Sequence, residues 1–330
     1  MVNDAVLADP DTFRTSVMER CQPVLLPGAA RQWSMIGEDG LDRVVAALKT
    51  FDALRSADLF VGEPSINAKY HYDETLTGFN FTRRSMLFGD ALDQILATAG
   101  QSHHPSLYMG SLPTDAYLPG IDEHTRLAFV PPHVKPLFWI GHASSVACHY
   151  DTMDNVACVA AGRRRFTLFP PDSISDLYVG PIDHTLAGQP ISLAMGSEPG
   201  DPGFPRFDEA ARARAQVFEL RPGDALYIPK LWWHQVEALD DVNVLVNFWW
   251  DGFATGPDRP STTMMLALIA IADRPPGERA AWRAFFDHYV FRPNGHPLAF
   301  LPEKHHGILS ANSKENYGRI RSMVMRLLRG

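Results

Sequence analysis

The apolar and polar positions of this chain change their spacing along its length. In the first hundred residues the elements are mixed. The stretches "DTFRTSVMERC" (11–21) and "GLDRVVAALKTF" (40–51) read as helices, the second clearly amphipathic, and "PVLLPG" (23–28) between them reads as a short strand and turn. "SMLFGDALDQILATAG" (85–100) is the clearest early helix. Its apolar stripe is Phe88, Leu92, Ile95 and Leu96, and Ser85 stands where a cap is expected. From about residue 105 to 252 the runs become short, rich in Val, Phe, Tyr and Trp, and broken by Pro and Gly, which is the signature of strands and turns. "FELRPGDALYIP" (218–229) predicts two strands joined by a turn at Pro222-Gly223, where proline fixes one φ and glycine accepts a positive one. Several such strands in one region predict a β-sandwich or barrel. After residue 260 the spacing is helical again. Trp282, Phe285, Phe286 and Tyr289 form one stripe, and Tyr317, Ile320, Val324 and Leu327 form another. Each stripe either packs on the core or meets a second copy of the chain.

The resulting expectation is mainly β with flanking helices. Residues 1–104 form an α/β flank, 105–255 the β core, and 256–330 a C-terminal helical region, all in one structural unit. A chain of 330 residues can bury one large core or two small ones. Hydrophobic residues make up 45% and charged residues 21%, an ordinary globular balance. The net charge is −8 and the pI about 5.9, so no global basic field exists to hold nucleic acid. Cys21, Cys148 and Cys158 are too few and too scattered for a disulfide framework, which fits a reducing compartment. The start, "MVNDAVLADPD", lacks the basic and apolar regions of a signal peptide, and "TTMMLALIAIA" (262–272) is too short to span a bilayer. These features lead to the expectation of a cytoplasmic protein with no membrane partner.

The chemistry concentrates in "HYDTMDNVACVAAGRRRFTLFPP" (149–171) and "RPGDALYIPKLWWHQVEAL" (221–239). Residues two apart on a strand face the same way, so His149 and Asp151 are expected to point together. His234 adds a second imidazole from a distant strand-like segment. Two histidines and one carboxylate make the facial triad of non-haem Fe(II), with three positions open, although the same set also suits Zn. In "GRRRFTLFPP" alternation puts Arg164, Phe166 and Leu168 on one face and Arg165, Thr167 and Phe169 on the other. If the first face is interior, Arg164 needs an anion, and a dicarboxylate would supply it. The alternative is that all three arginines are solvated or paired with structural carboxylates. In "VNVLVNFWW" (242–250) Asn243, Leu245, Asn247 and Trp249 share a face, and each asparagine must find either a structural network or a ligand. His103, His104, His305 and His306 have no acidic partner at ligand spacing and are read as surface or structural groups. Cys148 and Cys158 are read as buried small residues.

Five blocks, "KYHYDETLTGFNFTRRS", "LYMGS", "HYDTMDNVACVAAGRRRFTLFPPDSISDLY", "PGDALYIPKLWWHQVEAL" and "VNFWWDG", follow one another as landmarks do in a known family. The chain resembles the JmjC/cupin-like oxygenases that depend on Fe(II) and 2-oxoglutarate. Within that family the order of the blocks is most similar to that of the asparaginyl hydroxylase acting on the hypoxia-inducible factor. The resemblance implies a double-stranded β-helix, or jelly roll, with a C-terminal helical dimerisation region. It implies Fe(II) on His149, Asp151 and His234, with 2-oxoglutarate and O2 as co-substrates. It puts Tyr108 on the distal carboxylate and Asn155 and Asn247 near the co-substrate. Trp139 and Trp249 become candidates for substrate contact or for the layer behind the ligands. Two positions depart from the pattern: Arg164 stands where the family usually has lysine, and Val146 where a relative has threonine, with Ser144 or Ser145 as candidate replacements. The implied activity is hydroxylation of a protein or peptide side chain by a homodimer. A tRNA-base or small-molecule hydroxylase, a Zn enzyme and a non-catalytic cupin are the other readings.

Overall fold

The structure is a computed structural model that describes residues 2–38, 40–101, 103–183, 185, 188–311 and 313–329. It divides into two compact units, 1–252 and 253–330. In chain order the strands are β1 (Val24–Leu26), β2 (Ser56–Gly62), β3 (Lys69–Tyr70), β4 (Thr82–Leu87), β5 (Ser106–Pro113), β6 (Pro136–Gly141), β7 (Ser144–His149), β8 (Asp154–Ala161), β9 (Arg164–Phe169), β10 (Gln216–Leu220), β11 (Ala225–Ile228), β12 (Trp233–Ala238) and β13 (Asn243–Trp250). The helices of the first unit are α1 (Pro10–Ser16), α2 (Gly40–Thr50), α3 (Phe88–Thr98) and the short α4 (Thr114–Tyr117). Those of the second are α5 (Pro260–Ala270), α6 (Pro276–Phe286) and α7 (Lys314–Arg329).

The strands form the jelly roll that the sequence led us to expect. An eight-stranded sheet runs β1-β11-β8-β13-β6-β5-β2-β4, and a five-stranded sheet runs β10-β9-β12-β7-β3. The ladders are antiparallel apart from β3 with β7. Alternation explains the layers. On the larger sheet Phe138, Ile140, Val156, Cys158, Val244 and Val246 turn outward and share a core with Phe13 of α1, Val44 and Leu48 of α2, and Leu92 and Ile95 of α3. The opposite faces, with Ala157, Phe166, Leu168, Leu226, Val236 and Leu245, pack in a second core between the sheets. β8 lies inside the larger sheet and is buried along its whole length, which is why Val156 to Ala161 read as a continuous apolar run after the polar Asp154 and Asn155.

Three details differ from the sequence reading. Ser85 caps nothing. It belongs to β4, opposite Asp58 of β2, and α3 starts at Phe88, whose N–H donates to the Arg55 carbonyl at 2.8 Å. The pull of sheet pairing outweighed the cap signal. The strands flanking Pro222-Gly223 are β10 and β11, and they belong to different sheets, so the turn carries the chain across the sandwich. Gly223 does take a positive φ, 94°. Finally, β7 ends at His149, and Asp151 lies beyond it in the connection to β8.

Close approach of strands requires glycine at position 141. Gly141 pairs with Tyr108, and a Cβ there would sit 2.6 Å from the Leu107 carbonyl and 3.0 Å from Tyr108 Cα. Backbone atoms cannot yield as a side-chain end can. Gly141→Ala is therefore expected to cost about 1–3 kcal/mol, read as a lower urea midpoint. Wild-type stability for this variant would contradict the β5–β6 register.

In the second unit the aromatic and aliphatic stripes are largely exposed: Phe285 is 58% accessible, Leu327 76% and Ile269 85%. Among its described residues only Pro297 and Asn316 are buried. Tyr317 and Arg321 of α7 both bond Asp258 ahead of α5, the latter with Nε at 3.0 Å. No described helix is long and apolar enough to cross a membrane.

Candidate metal centre

The site forms where the smaller sheet turns its inner face to the larger one. His149 on β7 and His234 on β12 are direct cross-strand partners, and their ring centroids lie 4.5 Å apart. Each imidazole is oriented by the carbonyl two residues before it. His149 Nδ1 lies 2.8 Å from the Ala147 carbonyl and His234 Nδ1 2.9 Å from that of Trp232. A carbonyl only accepts, so each Nδ1 carries the proton and each Nε2 keeps a lone pair. Burial, helped by the neighbouring His149, lowers the pKa of His234 to about 4, so the ring is neutral near pH 7. Asp151 reaches the same point from outside the strand. Its carbonyl accepts from Leu231 N–H at 2.8 Å, which ties the β7–β8 connection to the approach of β12. Its Oδ2 is buried without a hydrogen bond, 3.6 Å from His234 Nε2.

Nitrogen and oxygen donors of His149, Asp151 and His234 all lie within 4.8 Å of one another. Two imidazoles, each braced from behind with Nε2 turned to the same point, and a carboxylate with an unused buried oxygen fit a divalent metal. Among the described residues no other group of histidine, cysteine and carboxylate side chains does so. His104 instead bonds the Pro105 carbonyl, and His306 that of Leu301.

The cavity beside these donors is lined by Tyr108, Trp139, Val146, Asn155, Ala157, Arg164, Phe166, Val236, Leu245, Asn247 and Trp249. The three arginines part company here. Arg163 pairs with Asp240 at 2.7 Å, and Arg165 with Glu219 at 2.7 Å and Glu237 at 3.7 Å, all at the surface. Arg164 is 3% exposed, its Nε has no hydrogen-bond partner, and no carboxylate among the described residues pairs with it. Burial lowers its pKa to about 10, far enough above neutrality for the guanidinium to stay charged. Burial pushes the Tyr108 hydroxyl the other way, upward, so it remains a protonated donor. The indole N–H of Trp249 and Oδ1 of Asn155 are also buried without partners. A buried cation beside an unpartnered indole donor is costly unless an anion completes it.

The asparagines of β13 divide in the same way. Asn247 faces the cavity. Asn243 lies at the strand start and bonds the Asp240 carbonyl, a structural role. Val146 lines the cavity, but neither proposed replacement for a hydroxyl reaches it. Ser144 Oγ donates to the His142 carbonyl at 3.2 Å, and Ser145 Oγ accepts from Gln235 on the other face at 2.7 Å. Ala157 and Val236 were not singled out in the sequence, although two-residue alternation from Asn155 and His234 reaches both.

A model of the cupin-like domain family matches residues 10–256. The chain is 31% identical over 149 residues to HSPB1-associated protein 1 of Bos taurus, covering 43% of this chain and 30% of that protein. It is 36% identical over 114 residues to lysine-specific demethylase JMJ31 of Arabidopsis thaliana, covering 34% of this chain and 20% of that one. It is 29% identical over 180 residues to the bifunctional peptidase and (3S)-lysyl hydroxylase JMJD7 of Homo sapiens, covering 46% and 56%. The chain thus spans between 20% and 56% of the length of these relatives.

Proposed function

The chain belongs to the cupin-like domain family, and from that premise we propose that it is a hydroxylase dependent on Fe(II) and 2-oxoglutarate, acting on a protein or peptide side chain. The observation that carries this reading is Arg164, a buried guanidinium without a carboxylate partner, opening on the same cavity as three converging metal donors. A zinc hydrolase has no need of a cation placed for a dicarboxylate, and three intact metal donors speak against a non-catalytic cupin. His149, Asp151 and His234 would hold the metal on one side and leave its other side to ligands. Arg164 would take the distal carboxylate of 2-oxoglutarate in a two-pronged pair, with Tyr108 as an additional donor. Asn155 and Asn247 would bond the remaining polar atoms, while Trp139, Phe166 and Trp249 exclude water. Bound Fe(II), with 2-oxoglutarate and O2, supplies oxidising chemistry that ends in succinate, carbon dioxide and a hydroxylated product.

The protein substrate is supported by two relatives, one named a lysyl hydroxylase and the other a lysine-specific demethylase. The net charge of −8 makes a tRNA base the weaker alternative. Three scattered cysteines, too few for a disulfide framework, fit a cytoplasmic setting. The test is to incubate the protein with Fe(II), 2-oxoglutarate and a pool of cell-extract peptides. The expected result is succinate release matched by peptides heavier by one oxygen atom. Succinate matched instead by oxidised RNA or a small molecule would move the substrate class, and no succinate with any pool would sink the reading.

The exposed apolar surface of α7 supports a homodimer. Leu327 is 76% and Leu328 58% accessible, and contiguous exposed apolar surface usually has a partner. Light scattering at micromolar concentration is expected to give twice the chain mass, falling to the monomer when residues 312–330 are removed. A monomeric full chain would refute this.

A further inference from the structure

Trp139 leaves the amide of Asn247 only one orientation. An indole N–H donates and cannot accept. The atom 2.7 Å from Trp139 Nε1 is therefore the amide oxygen of Asn247, free of the usual ambiguity between amide oxygen and nitrogen. What remains for the cavity is the NH2 group, which has no hydrogen bond to a described residue, on a side chain only 2% exposed. It faces the same cavity as Arg164 Nε, from β9 of the smaller sheet, and Trp249 Nε1, two rungs along β13, both buried donors without partners.

Trp139 is itself held in place by its surroundings. Its ring lies nearly parallel to Tyr108, at 28° and 6.2 Å between centroids, and meets Trp249 edge-on at 5.7 Å. A Cβ on Gly110 would stand 3.0 Å from both the Trp139 and Tyr108 rings. Glycines 110 and 141 thus make the room in which the aromatic pair lies across β5 and β6.

We infer that Trp139 is a positioning residue, which turns Asn247 into a fixed hydrogen-bond donor and so tunes the cavity for a carboxylate ligand. The identity of that ligand rests on the proposed function; the orientation of the amide does not. Two arms of one experiment separate them. In ligand-free, 15N-labelled protein, Trp139→Phe keeps an aromatic ring but removes the N–H. The Asn247 side-chain NH2 signals should then shift and broaden as the amide gains a second orientation, while the Trp249 indole signal persists. Unchanged Asn247 signals would overturn the inference.

In the second arm 2-oxoglutarate is titrated into Mn(II)-loaded protein. Trp139→Phe is expected to weaken binding about tenfold, the scale of one lost hydrogen bond, but to add nothing in an Asn247→Ala background. Equal losses in both backgrounds, or none in either, would assign Trp139 to packing and overturn the inference. Asn247→Asp keeps the acceptor that Trp139 needs and replaces the inward donor by an anion. It is expected to bind 2-oxoglutarate more weakly than Asn247→Ala, and wild-type binding would again overturn the inference, even if Trp139→Phe fails to fold. Should wild-type protein bind no 2-oxoglutarate, the functional reading fails, and the spectroscopic arm alone decides the role of Trp139.

Discussion

Asp151→Ala is expected to give a folded protein that retains no Fe(II) after dialysis and turns over no 2-oxoglutarate. Removal of a group that merely braces a metal ligand costs about 10–100-fold in affinity, and Asp151 would be the only anionic ligand of three, so the loss should exceed that range. The fold should survive for local reasons. Asp151 lies past the end of β7, Oδ2 of its carboxylate makes no hydrogen bond, and the contact that organises the connection uses its backbone carbonyl, which alanine keeps. Metal content after dialysis and a melting curve check both halves. Full turnover by Asp151→Ala would remove the triad. His149→Ala and His234→Ala should lose metal likewise, but with some loss of stability, because these rings are buried and anchored to carbonyls.

Arg164→Ala should raise the apparent KM for 2-oxoglutarate by about 30-fold or more while Fe(II) affinity changes little. Truncating one member of a buried charge pair typically costs about 2–5 kcal/mol, and about 1.4 kcal/mol is a factor of ten. Arg164→Lys should be much milder, since the charge stays and only the fork is lost. The neighbouring arginines are the controls. Arg163 and Arg165 sit in exposed ion pairs with Asp240, Glu219 and Glu237, and exposed pairs contribute only about 0–1 kcal/mol. Their alanine variants should leave the KM nearly unchanged. If Arg163→Ala raised it and Arg164→Ala did not, the arginine aimed at the cavity would have been misidentified. If neither did, the co-substrate would be held elsewhere.

Much of this arrangement was legible from the two-residue period of strands. The period put Arg164 with Phe166 and Leu168, and Asn247 with Leu245 and Trp249, and those faces do turn toward the cavity or the core between the sheets. It also paired His149 with Asp151, although the reason offered for Asp151 was incomplete, while His234 came from the ligand pattern and the family resemblance and not from the period. The aspartate is not a strand residue. Its position depends on a backbone bond to Leu231, and such a long-range contact leaves no local pattern. The orientation of the two imidazoles by carbonyls at Ala147 and Trp232 was equally hidden, since every residue carries a carbonyl. Ser85 misled because a capping serine and a strand serine look alike until β2 supplies a partner. Asn243 and Asn247 share a face, but only one meets the cavity, because Asn243 stands at the strand's start beside a turn carbonyl. The turn at Pro222-Gly223 was visible, whereas its passage from one sheet to the other depends on which neighbours each strand finds. The second-unit stripes were visible as periodicity, and periodicity does not say whether a face is covered.

The most direct test of the central claim is an anaerobic calorimetric titration of 2-oxoglutarate into Fe(II)-loaded protein. The account predicts saturation at one equivalent per chain, strong weakening by Arg164→Ala, and loss of binding in Asp151→Ala, which holds no metal. Absence of binding to the loaded wild-type protein, or wild-type binding by both variants, would contradict it.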